Sequence, residues 1–181
     1  MFRSFCLALA LTALPITAAN AALKTGDKAP DFSTQVSLAG KAMPFSLKSA
    51  LKKGPVVLYF YPAAFTKGCT IEAHEFAAAH DDFVKQGATV IGVSADDIAT
   101  LDKFSVSECG SKFAVSGVDM GLIKTYDVAF SPDRPLSNRT TYVIAPNGKI
   151  LWTFTALKPD GHVAGALKAV TDWRAAHRQR G

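Results

Sequence analysis

Two stretches of the chain, Val56-Val57-Leu58-Tyr59-Phe60-Tyr61 and Thr89-Val90-Ile91-Gly92-Val93, are apolar at successive positions rather than at alternate ones. A strand with one wet face alternates. A strand that is apolar throughout must be covered on both faces, as in the middle of an α/β sheet. Between the two stretches, Ala73, Phe76, Ala77, His80 and Val84 recur at helical spacing, and Lys85-Gln86-Gly87 supplies a cationic last turn and a glycine stop. Strand, helix, strand in that order predicts a parallel pair joined by a crossover helix.

The flanking segments extend this frame. A helix is expected to start near Ser94-Ala95-Asp96-Asp97, to carry Ile98, Leu101 and Phe104, and to end at Cys109-Gly110. A short strand at 113–115 and a short helix at 121–126 follow. Strands at 140–145 and 149–155 flank Pro146-Asn147-Gly148, a hairpin signal. Ile150, Trp152 and Phe154 fall on one face of the second arm, and a last helix spans about 161–177. Residues 32–36 and 43–45, separated by Gly40, form a small leading hairpin. The order β-α-β-α-β-α-β-β-α, parallel first and closed by an antiparallel hairpin and a helix, is the layout of a thioredoxin-like α/β domain. A central mixed sheet flanked by helices in a single domain is the expected architecture.

Residues 1–21 are read as a secretory leader: Arg3 is the positive end, Cys6 to Ile16 the apolar stretch and Ala19-Asn20-Ala21 the cleavage site. The apolar stretch is short of the roughly 20 residues a spanning helix needs. The mature domain is then 22–181, exported to the periplasm or beyond, with no membrane span after processing. Cys69 and Cys109 remain as an even pair in a compartment where disulfides persist. The formal charge of +5 is modest, and part of it is a C-terminal cluster, Arg174, His177, Arg178 and Arg180. No basic stripe interleaved with aromatics indicates nucleic acid. No His, Cys, Asp and Glu spacing resembles a metal site, and no cofactor is expected.

Cys69 is the chemically distinctive residue. It opens the helix after a Gly/Pro loop, 61–68, that leaves the first apolar strand. Unpaired N–H groups and the helix dipole favour a thiolate there, and the thiolate is the nucleophile. The absence of a Cys-x-x-Cys pair argues against thioredoxin-type exchange.

Four motifs together bear a resemblance. Pro62-x-x-x-Thr66-x-x-Cys69 matches the peroxiredoxin active-site motif, and Cys69-Thr70-x-Glu72-Ala73 is similar to the peroxiredoxin Q, or bacterioferritin comigratory protein, subfamily. Arg139-Thr140-Thr141-Tyr142-Val143-Ile144 resembles that subfamily's arginine-bearing strand, and Asn147-Gly148-Lys149 with the aromatic strand after it resembles its hairpin. The likeness runs from about Leu23 to Trp173. It implies a thiol peroxidase that reduces hydrogen peroxide or organic hydroperoxides, is recharged by a dithiol (a thioredoxin-like protein or a small thiol) and is a monomer. By the same likeness Cys69 is the peroxidatic cysteine. Thr66 would hydrogen-bond thiolate and peroxide, Arg139 would hold the thiolate and the polarised oxygens, and Pro62 would shield the pocket. Two departures stand out. Lys67 replaces a proline, and His74 occupies the position five residues on where many relatives carry a resolving cysteine. Cys109 matches the helix-borne alternative and is assigned as resolving.

The rates make these auxiliaries necessary. An ordinary thiol of pKa about 8.5 is already about 3% thiolate at pH 7, so full ionisation gains only about thirtyfold. The rest must come from aligning the O–O bond and stabilising charge on the departing oxygen, which suits fixed donors such as Arg139. Plainer readings stand beside these. Cys69 is a buried structural thiol, Cys109 is core or half of a static disulfide, and Arg139 pairs with a surface carboxylate such as Asp133. Glu72 is a helix-start charge, His74 is solvated, His80 faces the core, His162 lies near a helix start, and Trp152 and Phe154 are core. The rival functions are a one-cysteine peroxidase served by an external thiol, and a periplasmic redox protein or sensor.

Overall fold

The computed structural model describes residues 22–178; the proposed leader, 1–21, lies outside the described residues. The chain runs β1 (Ser33–Leu38), β2 (Lys41–Ser46), α1 (Leu47–Leu51), β3 (Val56–Phe60), α2 (Lys67–Lys85), β4 (Thr89–Ser94), α3 (Ile98–Ser107), β5 (Ala114–Gly117), α4 (Met120–Thr125), β6 (Ala129–Ser131), β7 (Arg134–Ser137), β8 (Thr140–Ile144), β9 (Ile150–Thr155) and α5 (His162–Arg178). Seven strands form one sheet in the order β2-β1-β5-β4-β3-β8-β9, and β6 and β7 form a separate hairpin. The pairs β3/β4 and β4/β5 are parallel, whereas β3/β8, β8/β9, β1/β5 and β1/β2 are antiparallel. This is the mixed sheet of a single thioredoxin-like domain.

The two-sided burial expected of the apolar strands has a concrete form. Along β3, Val57 and Tyr59 join a core with residues of α2, α3 and α5, while Val56, Leu58 and Phe60 join a second core with residues of α1 and α4. All five β3 residues are buried. In β4, Gly92 pairs with Tyr59 across the ladder. A Cβ placed on Gly92 would stand 2.8 Å from the Tyr59 ring, and that ring is already stacked on Phe76 at 4.3 Å. Gly92→Ala is therefore expected to cost about 1–3 kcal/mol of stability, read as a lower urea midpoint at unchanged slope.

Some expectations need correction. α1 and the β6/β7 hairpin were not foreseen. α1 is barely more than one turn, capped by Ser46 accepting from the Ser49 N–H, and is too short to show a period. On α2 the buried partner of Phe76 is Phe83, whereas Val84 is 55% exposed. α3 is capped by Asp97, whose carboxylate accepts from the Thr100 N–H at 2.9 Å, and it stops at Ser107. Cys109 therefore lies past the helix, one residue beyond the C-cap Glu108, not on it. The Cys109 N–H reaches back to the Phe104 carbonyl instead of continuing the helical ladder to Ser105, and Gly110 and Ser111, both at positive φ, turn the chain just past the cysteine. Trp152 and Phe154 are half-buried and stack on each other at 5.8 Å. At the sheet's margin, β2 carries Lys41 and Pro44 and is largely exposed.

Candidate active site

Strand pairing explains why residues 70 apart in sequence meet. Phe60 at the end of β3 pairs with Thr140 at the start of antiparallel β8. The residue before β8, Arg139, is therefore delivered beside the loop that leaves β3. That loop is tied down. The Tyr61 N–H donates to the Val93 carbonyl at 2.9 Å, the Ser137 hydroxyl donates to the Tyr61 carbonyl at 2.7 Å, and the Ala64 N–H donates to Asp96 Oδ2 at 2.7 Å. Asp96, read in the sequence as part of a helix cap, instead braces this loop. Phe65 takes a left-handed φ of 61°, which a side chain with Cβ adopts only where its surroundings hold it.

The loop then enters α2 with Thr66 as N-cap and Cys69 as the third helical residue. Cys69 is 2% exposed and Arg139 3%. The Arg139 Nη2 lies 3.4 Å from Cys69 Sγ and donates toward it, Nε donates to the Leu157 carbonyl at 2.9 Å, and Nη1 donates to Glu72 Oε2. Gly68 makes this approach possible, since a Cβ there would stand 3.0 Å from Arg139 Nη2. The Thr66 hydroxyl donates to the Ala63 carbonyl at 3.0 Å and gives no side-chain cap to the helix. Pro62 is half-buried in the loop between. Cysteine and arginine are thus brought into contact. The Thr66 hydroxyl is spent on its own loop, with its lone pairs still able to accept.

Arg139 does not pair with Asp133. Its carboxylate partner is Glu72, fully buried on α2 and with no solvated helix-start role. Burial drives the Glu72 carboxyl up to about 8 in spite of the Arg139 charge and hydrogen bond. Burial also works against the Arg139 charge, but Glu72 and Cys69 outweigh it and hold the guanidinium above its ordinary value. A further residue that sequence reading missed completes the cluster. His162, the first residue of α5, is fully buried; its Nδ1 is 2.8 Å from Thr141 Oγ1 and its Nε2 is 3.1 Å from the Ala156 carbonyl. Burial pushes the imidazole down to about 4. The one signal in sequence was a histidine set among apolar helix positions, which does not name a partner.

Cys109 stands apart from this cluster. It is 0% exposed and unpaired, as Cys69 is, and burial pushes its thiol well above the ordinary range. Its N–H donates to the Phe104 carbonyl, which also receives the Glu108 N–H. Phe104 in turn meets Phe65 edge to face at 5.2 Å, so α3, whose Phe104 carbonyl holds the turn of Cys109, touches the loop before Cys69 through two aromatic rings. Nearby, His74 of α2 pairs with Glu108 at 3.0 Å. His80 is largely shielded and lies beside Asp81. Among the described residues no group of three or more His, Cys, Asp or Glu is placed to hold a metal ion, and no helix is long and apolar enough to cross a membrane.

Comparison with known proteins agrees with this geometry. The profile of the AhpC/TSA family matches residues 25–153. A putative peroxiredoxin bcp of Helicobacter pylori is 32% identical over 154 residues, covering 82% of this chain and 98% of that protein. The peroxiredoxin Bcp of Bacillus subtilis is 30% identical over 155 residues, covering 83% and 96%. Among solved structures, peroxidoxin BcpB from Mycobacterium tuberculosis superposes with a TM-score of 0.75 at 30% identity, covering 83% of this chain and 97% of that one. A cysteine-to-serine mutant of Xylella fastidiosa PrxQ gives 0.74 at 26% identity, covering 84% and 98%. With a buried thiol at a helix start under a guanidinium, and relatives matched over nearly their whole length, the chain belongs to the AhpC/TSA family and is a peroxiredoxin of the Bcp and peroxiredoxin Q group, a thiol peroxidase.

Proposed function

We propose that Cys69 reduces hydrogen peroxide or organic hydroperoxides and that Cys109 resolves it within the same chain. The carrying observation is the Arg139 guanidinium 3.4 Å from Cys69 Sγ, with both groups buried. The thiolate attacks one peroxide oxygen, the O–O bond breaks, and the departing alkoxide or hydroxide takes a proton, leaving Cys69 as a sulfenic acid. Arg139 stabilises the charge on sulfur before attack and on the departing oxygen after it. The Thr66 oxygen can accept a hydrogen bond from the peroxide O–H, and Pro62 and Phe65 limit water at the opening. The Cys109 thiol then attacks the sulfenic sulfur, water leaves, and the resulting disulfide is reduced by a dithiol, either a thioredoxin-like protein or a small thiol.

Resolution demands movement, because a thiol fully buried and pushed up by burial does not ionise in place. The contact between Phe65 and Phe104 supports a coupled opening. Unwinding the first turn of α2 pulls Phe65 off Phe104, whose carbonyl holds the turn of Cys109. One equivalent of peroxide is expected to give a Cys69–Cys109 bridge by mass spectrometry. Cys109→Ser should complete a single turnover yet lose steady cycling with a dithiol protein. The burial of Cys109 favours a second reading, a one-cysteine enzyme resolved from outside. Intact wild type carrying only sulfenic or sulfinic Cys69 would establish that reading instead.

We also read the chain as exported, with 1–21 removed, and as a monomer. The first point rests on the leader-like pattern of Arg3, the apolar stretch and Ala19-Asn20-Ala21. N-terminal sequencing of the protein recovered from cell fractions tests it, and sedimentation tests the second.

A further inference from the structure

The peptide group between Ala63 and Ala64 is gripped from both sides. Its carbonyl accepts the Thr66 hydroxyl hydrogen at 3.0 Å, and its N–H donates to Asp96 Oδ2 at 2.7 Å. Carbonyl and N–H belong to one planar amide and point opposite ways. Hydroxyl, amide and carboxylate therefore form a single line of hydrogen bonds. Asp96 enters that line from a different part of the fold, the link between β4 and α3. Its carboxylate is itself aimed. Ser94, the fully buried last residue of β4, donates to the same Oδ2 at 2.8 Å, and Ser94 Oγ accepts from the Asp96 N–H at 3.2 Å. Helix capping does not explain Asp96, because Asp97 is the N-cap of α3.

The line has a chemical consequence at its other end. A threonine hydroxyl carries one hydrogen. With that hydrogen committed to the Ala63 carbonyl, Thr66 meets anything entering the site as an acceptor, through its lone pairs. A thiolate has no hydrogen to offer such a group, whereas a hydroperoxide does. Thr66 is exposed, so its oxygen is open to an arriving molecule. An anion on the amide N–H makes the carbonyl of the same amide a stronger acceptor, which fastens the threonine hydrogen where it is. The tie also steadies Phe65, which stands between the gripped amide and Thr66 at a left-handed φ of 61°. A freed Ala64 N–H would let Phe65 relax and carry the hydroxyl away.

We propose that Asp96 is a positioning residue for peroxide reduction: through the Ala63–Ala64 amide it fixes the Thr66 hydroxyl as an acceptor of the hydroperoxide O–H. Asp96 takes no part in the bond changes at Cys69. The inference rests on Cys69 and Thr66 serving as proposed above and is independent of Cys109. Two second-order rates of the reduced full chain test it, one with hydrogen peroxide and one with N-ethylmaleimide, an electrophile that has no hydrogen to donate. Labelling by the second reagent is read at Cys69 by peptide mass spectrometry. Asp96→Ala should slow the peroxide step about tenfold and leave labelling of Cys69 within about twofold. Asp96→Asn keeps an acceptor without the charge and should slow the peroxide step about threefold. Equal losses with both reagents would mean a general distortion of the loop and would overturn the proposal.

Thr66→Val supplies the decisive background. It removes the hydroxyl, so adding Asp96→Ala or Asp96→Asn should cost the peroxide step nothing further. A second loss as large as the first would mean that Asp96 does not act through Thr66, and the proposal falls. Should Asp96→Ala not fold, as read by circular dichroism, Asp96→Asn in the two backgrounds decides by the same comparison. An unchanged peroxide rate in Thr66→Val would overturn the role of Thr66 together with this inference, and an unchanged rate in Cys69→Ser would overturn the nucleophile with both. A wild-type rate in Asp96→Ala beside a slowed Thr66→Val would overturn this inference alone.

Discussion

Arg139→Leu is expected to slow the first peroxide step by about 10²–10³, the loss seen when one preorganised donor is removed from a developing oxyanion. Leucine fills part of the same space but supplies neither the Nη2 contact to Cys69 nor a donor for the departing oxygen. Stripping the partner from a buried ion pair ordinarily costs about 3–5 kcal/mol of stability as well. A smaller loss is expected here, about 1–3 kcal/mol, the cost of leaving buried acceptors such as the Leu157 carbonyl unpaired. The carboxyl of Glu72, driven up to about 8 by burial even with the arginine present, is held neutral more firmly once that charge is gone, so no buried charge is left unpaired. Stopped-flow oxidation and urea unfolding of the same variant separate the two losses. A large fall in stability with little change in rate would mean that Arg139 serves the fold and not the sulfur.

The largest effect on stability should come from Phe76→Ala, at about 3–5 kcal/mol. Phe76 is fully buried between α2 and the sheet, stacked on Tyr59 at 4.3 Å with Phe83 at 6.0 Å and Phe113 at 6.2 Å. Four rings meet at this point, so removing one leaves a cavity that its neighbours cannot close by a single rotamer change. The urea midpoint reads the loss. Reduced protein should still react once with peroxide under native conditions, because Phe76 is no partner of Arg139 and lies two turns along α2 from Cys69, on the same buried face. A variant that unfolds at the wild-type midpoint would show that this aromatic cluster is not what fastens α2 to the sheet.

The frame of the fold was legible because it depends on patterns that persist over many residues. The unalternating apolar residues of β3 and β4 forced a two-sided sheet, and the turn at Pro146-Asn147-Gly148 forced β8 and β9 to pair. Cys69 and Arg139 were legible through motif and strand order, and the pairing of Phe60 with Thr140 is the physical reason they meet. Glu72 and His162 were not legible as partners. Their contact joins α2 to the start of α5, and no local periodicity records a contact across that distance. Asp96 escaped for a related reason. An Asp before a helix looks like a cap, yet Asp97 takes that place and leaves Asp96 free to accept from Ala64 and Ser94. Cys109 was placed on α3 because nothing in the residues announced that the helix stops at Ser107; the ladder breaks where the Glu108 and Cys109 N–H groups share the Phe104 carbonyl.

The outer border of β2 has its own consequence for a molecule meant to survive repeated contact with oxidants. Pro44 has no N–H to offer an approaching chain, and Lys41 brings a charge that a stacked copy would have to bury. A molecule caught with its catalytic turn undone therefore presents no ready seam on that side for cross-β growth. It can return to duty instead of seeding aggregates.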